Sequence, residues 1–184
     1  MNKTQALRRI AEEIKRCRLC KKGGTGKAVP GEGNPNARVV FIGEAPGKEE
    51  ALSGRPFVGR SGKLLRGMLH ESGFVEQDFF ITSPAHYLPL RGTPSKAIVV
   101  HGRKHLYKQL DIIKPQIIVL LGNTACFAML DTPTGVSRTH GKTIKKDGKD
   151  YFITFHPAYV LRFPKNKKRF ANDLKKIRSI IEMI

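Results

Sequence analysis

The sequence predicts an α/β fold: a three-layer α/β/α sandwich around a central, mostly parallel four-stranded sheet. Short continuous apolar runs end in glycine or polar residues, as strands buried on both faces do. Amphipathic stretches of helix length separate these runs, so strands and helices alternate along the chain. The chain has 184 residues and shows neither an internal repeat nor an interdomain linker. We therefore expect a single domain covering residues 1–184.

Helices are predicted wherever apolar residues recur at helical spacing. The first covers residues 4–16, and an irregular loop rich in glycine, proline and lysine follows over residues 21–36. A second helix covers residues 62–72, with Gly73 as its stop. Three further helices are predicted: 95–113, starting at Pro94 and Ser95 and ending before Pro115; 123–130, with Asn123 as N-cap; and 167–184.

Buried strands are predicted over residues 38–43, 78–82, 116–122 and 151–155. The last of these follows a hairpin turn at Asp147-Gly148, which pairs it with residues 143–144. Parallel strands bring their carboxyl ends to one edge of a sheet, and ligands bind there in such folds. The loops after Ile42, Thr82 and Phe155 are therefore expected to form the functional site.

The charge balance favours a polyanionic partner. The chain carries 34 lysines and arginines against 15 acidic residues, a formal charge of +19 that is spread along its length. We interpret this excess of positive charge first as a sign that the partner is a nucleic acid. Ribosome-associated proteins, membrane-surface binders and proteins of salt-adapted or thermophilic hosts show a similar balance.

The three cysteines do not suggest a disulfide framework, and Cys17 and Cys20 have the spacing of a metal knuckle. The N-terminal residues lack the apolar segment of a signal peptide, and no apolar run is long enough to span a bilayer. We therefore expect a cytoplasmic protein that is neither exported nor inserted in a membrane.

Two loops carry the candidate chemistry. The first, residues 43–65, combines five glycines with the acidic Glu44 and the aromatic Phe57, a pattern more typical of a ligand pocket than of simple tight turns. The second begins at His156, directly after an apolar strand, where a histidine can donate to a developing anion. A histidine that only caps a turn is the alternative interpretation.

Together these segments resemble the family 4 uracil-DNA glycosylases, within the wider uracil-DNA glycosylase superfamily. The resemblance covers nearly the whole chain and is densest in two separated motifs, GEAPGKEE with GRPFVGRSGKLL, and HPAYVLR. It also includes Cys17-Arg18-Leu19-Cys20, Pro30-Gly31-Glu32-Gly33-Asn34-Pro35, Phe80-Ile81-Thr82-Ser83 and LLGNTA. It implies a uracil-DNA glycosylase-like sandwich and a monofunctional enzyme that excises uracil, or another deaminated base, to initiate base excision repair.

The resemblance also implies residue roles. Glu44 orients the attacking water or stabilises a cationic sugar, Phe57 stacks on the flipped base, and His156 binds the carbonyl at its O2 edge. Further contacts to the base are implied for Gly43, Ala45, Pro46, Gly47, Glu50 and Ser83. Contacts to DNA are implied for Ser61, Gly62, Lys63, Leu161 and Arg162, and lysines 165, 167 and 168 are expected to clamp phosphates.

These roles agree with the chemistry of the reaction. Cleavage of a nucleoside C–N bond develops positive charge on the sugar and negative charge on the departing base, so a carboxylate and a hydrogen-bond donor both favour the transition state. Extrusion of the base costs a few kcal/mol, which a stacking aromatic and a wedge such as Leu161 partly recover. No catalytic cofactor is expected.

The sequence departs from the family pattern at two places. Ser83 replaces the asparagine that reads both N3 and O4 of uracil, which leaves hypoxanthine or another deaminated base open as the substrate. The family binds a four-iron, four-sulfur cluster through four cysteines, whereas this chain keeps only Cys17 and Cys20. We expect His86 and His101, with His105 as a further candidate, to complete a structural site for an iron-sulfur cluster or zinc, or the site to have lost its metal.

Two other functions compete with the enzyme. One is a binding protein that recognises or traps uracil-containing or single-stranded DNA without turnover. The other is a nucleotide hydrolase, which is disfavoured because Gly62-Lys63-Leu64 lacks the hydroxyl residue of a phosphate-binding loop. We expect a monomer, since a face that clamps DNA needs no symmetry.

Overall fold

The computed structural model describes residues 2–132 and 135–183. Its helices are α1 (Lys3–Arg16), α2 (Arg18–Lys21), α3 (Lys48–Ser53), α4 (Arg60–Glu71), α5 (Lys96–Ile113), α6 (Asn123–Leu130), α7 (Val136–Thr139), α8 (Pro157–Arg162) and α9 (Lys167–Glu182), with 3₁₀ turns at Glu76–Asp78 and Pro164–Asn166. Its strands are β1 (Gly24–Thr25), β2 (Glu32–Gly33), β3 (Val39–Ile42), β4 (Phe79–Thr82), β5 (Leu88–Pro89), β6 (Ile117–Leu121), β7 (Thr143–Lys146) and β8 (Lys149–Thr154).

The main sheet has the strand order β2-β4-β3-β6-β8-β7. Its four central strands are all parallel, which confirms the predicted core of the fold. The short strands β2 and β7 extend it antiparallel at the two edges, so over the described residues the sheet has six strands rather than the predicted four. A second, two-stranded sheet pairs β1 with β5.

The central strands are buried because helices cover both faces of the sheet. Every residue of β3 and β6 is buried, as their continuous apolar sequences predict. Helix α5 packs against α1 and α6, while α4 packs against α9. The predicted sandwich is thus confirmed, and no helix among the described residues is long and apolar enough to cross a membrane.

Most helix boundaries follow from local sequence signals. The Ser95 side chain caps α5 by accepting from the Ile98 N–H, and the helix ends just before Pro115. The turn between β7 and β8 has positive φ at both Asp147 and Gly148, as the predicted hairpin requires. Helix α9 ends at Glu182, and Ile184, included in the predicted helix 167–184, lies outside the described residues.

Three local predictions were wrong. Gly122, with φ of 90°, is the N-cap of α6, and Asn123 is its first helical residue, whose side chain instead accepts from the Val136 N–H. Residues 21–36 contain the strands β1 and β2, although most of the segment is irregular. The segment after His156 is the helix α8 rather than a loop, since Pro157 occupies its first turn.

Candidate active site

The predicted catalytic loops meet at the carboxyl edge of the sheet. Strands β3, β4 and β8 run parallel, so the residues that follow them, Glu44, Ser83 and His156, lie at the same edge. A cavity of about 280 Å³ opens between them. Its lining includes the predicted residues Glu44, Ala45, Pro46, Gly47, Glu50, Phe57, Ser61, Ser83 and His156.

Glu44 is oriented by a residue that the sequence analysis missed. Thr124 Oγ1 donates to Glu44 Oε2 over 2.5 Å, from the first turn of α6. Glu44 and His156 also line a second cavity of about 270 Å³, together with Asn123 and Tyr159. The carboxylate therefore lies between two spaces, one on the side of Phe57 and one on the side of α6.

The aromatic ring of Phe57 is held in a strained and crowded position. Its φ is 51°, in the left-handed region that costs a residue other than glycine about 1–3 kcal/mol. A Cβ atom on Gly43 would lie 2.6 Å from the Phe57 ring, and one on Gly62 would lie 2.0 Å from the Phe57 backbone. These two glycines thus allow the close packing that positions Phe57.

Glu50 holds the same loop together. One carboxylate oxygen accepts from the N–H groups of Val58 and Gly59, at 2.9 and 2.8 Å, and the other accepts from Gly47 N–H at 3.0 Å. The side chain is buried. Its oxygens bind the loop backbone and so shape the pocket wall, and because Glu50 also lines the cavity, its contact with the base stays a prediction.

The ring of His156 presents a defined donor. Its Nδ1 accepts from the Ala158 N–H at 3.2 Å, so in the neutral ring Nε2 carries the proton. Burial lowers the pKa of His156 to about 4, which keeps the imidazole neutral near pH 7. Its ring centroid lies 5.9 Å from that of Phe57. The cavity thus combines a carboxylate, an aromatic ring and a neutral N–H donor.

Ser83 presents an acceptor rather than a donor. Its buried hydroxyl donates to the carbonyl of Ala85 at 2.9 Å, so only its lone pairs are free to meet a ligand in the cavity. The sequence indicates that a hydroxyl replaces the amide that reads uracil at two points. The structure adds that this hydroxyl can accept from an N–H group of the base but, while it donates to Ala85, cannot also donate to a carbonyl of the base.

A groove with three cationic side chains adjoins the cavity. Its lining includes Lys48, Arg60, Leu161 and Arg162 together with the carboxylates of Glu49 and Glu50, and it shares Ser61 with the cavity. On α8 and just beyond it the side chains of Tyr159, Leu161 and Phe163 are each 38–39% exposed. The predicted DNA contacts Lys63, Lys165, Lys167 and Lys168 are all exposed. Gly62 is buried against Phe57, and its predicted contact with DNA stays a prediction.

A cluster of four potential metal ligands lies between α2 and α5. Cys17, Cys20, His101 and His105 bring one ligand atom each to within 4.8 Å of one another. The two cysteines flank the start of the short helix α2, and the histidines lie one turn apart on α5, against which α2 packs. This arrangement of soft and borderline ligands is suited to a transition metal.

His86 does not belong to this cluster, although it was predicted as a ligand. It is buried, its Nδ1 lies 3.3 Å from the carbonyl of Val29, and its ring meets that of His105 edge-on, with centroids 5.6 Å apart. His105 supplies the fourth ligand atom in its place. The one-turn spacing of His101 and His105 was the signal for this pair in the sequence.

Comparison with known proteins agrees with this fold. The family model of the uracil DNA glycosylase superfamily matches residues 30–178, and the chain belongs to that superfamily. Its relatives include a type-4 uracil-DNA glycosylase of Thermotoga maritima, 37% identical over 94% of this chain and 93% of that protein. A type-4 uracil-DNA glycosylase of Archaeoglobus fulgidus is 38% identical over 94% of this chain and 92% of that protein. These relatives confirm the resemblance to the type-4 group.

Proposed function

We propose that this protein is a monofunctional uracil-DNA glycosylase, which hydrolyses the N-glycosidic bond of a flipped uracil and so initiates base excision repair. The observation that carries the proposal is the meeting of Glu44, Phe57 and a neutral His156 around one cavity. The type-4 relatives support the choice of uracil and DNA as substrate.

The proposed chemistry divides between the two sides of the cavity. The Glu44 carboxylate orients the attacking water and stabilises the positive charge that develops on the sugar. His156 donates from Nε2 to the O2 edge of the departing base, where negative charge develops. A neutral donor serves this purpose without the cost of burying a cation.

Base extrusion is assigned to the groove and its neighbouring aromatic residues. Phe57 stacks on the flipped base, while Leu161 enters the space that the base vacates. Arg162 and the exposed lysines 165, 167 and 168 hold phosphates without reading sequence. All of these groups come from one chain, so we propose that the protein acts as a monomer.

Selectivity among deaminated bases depends on Ser83. Its lone pair accepts from the N3–H of uracil, but it accepts equally well from the N1–H of hypoxanthine. The protein backbone around the cavity and the size of the cavity must therefore supply most of the discrimination between uracil and hypoxanthine. We propose that uracil is the main substrate and that Ser83→Asn raises the preference for uracil over hypoxanthine.

The Cys/His cluster has a structural role in this proposal. It joins the α1–α2 segment to α5, and none of its four residues lines the cavity that Glu44 and His156 line. Hydrolysis of the glycosidic bond needs no redox centre, so a metal at this site stabilises the fold and takes no part in bond cleavage.

The proposal is tested with oligonucleotides that each carry one uracil, hypoxanthine or xanthine. After incubation with the protein, alkaline treatment converts any abasic site into a strand break. We expect breaks at uracil, and slower breakage at hypoxanthine. Tight binding to these oligonucleotides without breaks in any of them would favour a binding protein instead.

A further inference from the structure

Two thiols and two imidazoles converge on one point between α2 and α5, in a donor set that differs from the four cysteines of the resembled family. Cys17 Sγ lies 3.1 Å from His101 Nε2, and Cys20 Sγ lies 3.4 Å from His105 Nε2. The spacings Cys-x₂-Cys and His-x₃-His are those of tetrahedral zinc sites. We propose that these four residues bind a single tetrahedral zinc ion rather than an iron-sulfur cluster.

The distances support a single ion. A tetrahedral zinc with Zn–S of about 2.3 Å and Zn–N of about 2.0–2.1 Å holds a sulfur and a nitrogen ligand about 3.5 Å apart. Two of the sulfur–nitrogen distances, 3.1 and 3.4 Å, are close to that separation, and all four ligand atoms lie within 4.8 Å of one another. In a four-iron cluster each ligand binds a different iron atom, so the ligand atoms are farther apart than they are around a single ion.

The pairing of ligands also argues against a two-iron cluster. Where two cysteines and two histidines hold such a cluster, both histidines bind one iron and both cysteines the other. The thiolates and imidazoles are then separated by the cluster. Here each cysteine sulfur lies within 3.4 Å of a histidine nitrogen, which leaves no room for a cluster between the sulfur pair and the nitrogen pair. Ligand atoms this close together suit the four corners of one tetrahedron.

His86 packs against the ligand His105 and lies outside the set of four ligands. With Nε2 of His105 on the metal, its proton lies on Nδ1, which has no hydrogen-bond partner among the described residues. The Nδ1 of His86 donates to Val29, so its Nε2 carries a lone pair that is likewise unpartnered in the described structure. The two rings are in edge-on contact, and these two atoms are not hydrogen-bonded in the structure; we expect metal binding to pair this donor with this acceptor, so that His86 supports the ligand His105.

The metal content of the full-length protein tests the proposal. After expression in medium with both iron and zinc and purification without oxygen, we expect one zinc per chain, no acid-labile sulfide and no visible colour. Iron in place of zinc, acid-labile sulfide, or a folded protein without metal would each overturn it. His105→Ala should lose the zinc, whereas His70→Ala, on the exposed surface of α4, should keep it.

Two variants address the case in which loss of zinc unfolds the chain. His101→Cys should retain the ion with three thiolates, so its cobalt-substituted form should show stronger thiolate-to-cobalt charge-transfer absorption than the cobalt-substituted wild type. Unchanged absorption would contradict ligation by residue 101. His86→Phe should remain folded and lower zinc affinity about 10- to 100-fold in chelator competition, as loss of a ligand's supporting residue does. Unchanged zinc affinity would show that His86 does not support the metal site.

Discussion

Single hydrogen bonds orient both residues on which the proposed chemistry depends. Thr124 donates to one oxygen of Glu44, and the Ala158 N–H occupies Nδ1 of His156. The first contact fixes the direction of the carboxylate, and the second selects the tautomer with a proton on Nε2. Both partners belong to the first turn of a helix, so the start of α6 and the start of α8 position the chemistry.

Thr124→Val tests the positioning of Glu44. We expect kcat for uracil excision to fall about 10- to 100-fold with little change in KM, since a hydrogen bond to a charged group is lost. Thr124→Ser, which keeps the hydroxyl, should recover most of the rate. Thr143→Val, at an exposed position on β7, serves as the control. Equal rates for the two valine variants would show that Thr124 does not orient Glu44.

The protonation state of His156 is directly measurable. Nitrogen NMR should show a neutral ring with its proton on Nε2 at pH 6, titrating with a pKa of about 4. The unfolded histidine takes up its proton near pH 6.5, so the folded state loses stability relative to the unfolded state as the pH falls from about 6.5 to about 4. Comparison with His156→Gln assigns the signal. A pKa near 6.5, or a proton on Nδ1, would contradict the neutral Nε2 donor.

At the scale of elements, the loop from β3 through α3 to α4 forms a frame for Phe57. Glu50 ties its two ends together through three backbone amides, while Gly43 and Gly62 allow the ring to pack closely. The left-handed φ of Phe57 persists because this frame determines it. The pocket wall is therefore built by a carboxylate that need not contact the substrate.

Glu50→Gln is expected to disturb this frame. Glutamine offers one acceptor oxygen and turns an NH₂ group toward backbone donors, so the unfolding free energy should fall by about 1–3 kcal/mol. Displacement of Phe57 should also raise KM for uracil-containing DNA. Urea unfolding and steady-state kinetics measure the two effects. The control variant Glu71→Gln, at an exposed position at the end of α4 and outside the groove, should show neither, and identical behaviour of the two would refute the role of Glu50.

Elements with a strong period or a continuous apolar run were predictable from the sequence, and elements set by contacts between distant segments were not. The four parallel strands and helices α1, α5 and α9 follow directly from their patterns. Helix α3 and strand β2 lie in glycine-rich segments whose structure depends on tertiary partners. The same distinction holds in the site: Glu44 and His156 stand in motifs, but Thr124 reaches Glu44 across 80 positions of the sequence. The one-turn spacing of His101 and His105 favours that pair, but the choice between His86 and His105 as a ligand depends on the fold.

At the scale of the whole molecule, the charge of +19 supplies affinity for DNA that does not depend on sequence. The groove with Arg60, Leu161 and Arg162 lies beside the cavity, so the phosphates can be held where the base is extruded. Binding should therefore be strongly sensitive to salt, while the choice of base depends on the cavity.

Arg162→Ala tests whether DNA binds in this groove. We expect it to weaken DNA binding and to reduce the slope of log affinity against log salt by about 1, the effect of one lost phosphate contact. Fluorescence anisotropy over a range of NaCl concentrations measures the slope. Lys114→Ala carries the same loss of charge at the opposite edge of the sheet, before β6, and should leave the slope nearly unchanged. Equal slopes for both variants would mean that DNA does not occupy the groove.

The most direct test of the enzyme assignment is single-turnover excision of uracil by Glu44→Gln, measured together with its affinity for the same DNA. We predict that excision slows by about 10²- to 10⁴-fold, the usual contribution of a general base, while DNA affinity changes little. The control Glu71→Gln, at an exposed position at the end of α4, should excise uracil at the wild-type rate. Near-full excision by Glu44→Gln would contradict the assignment of bond cleavage to this site.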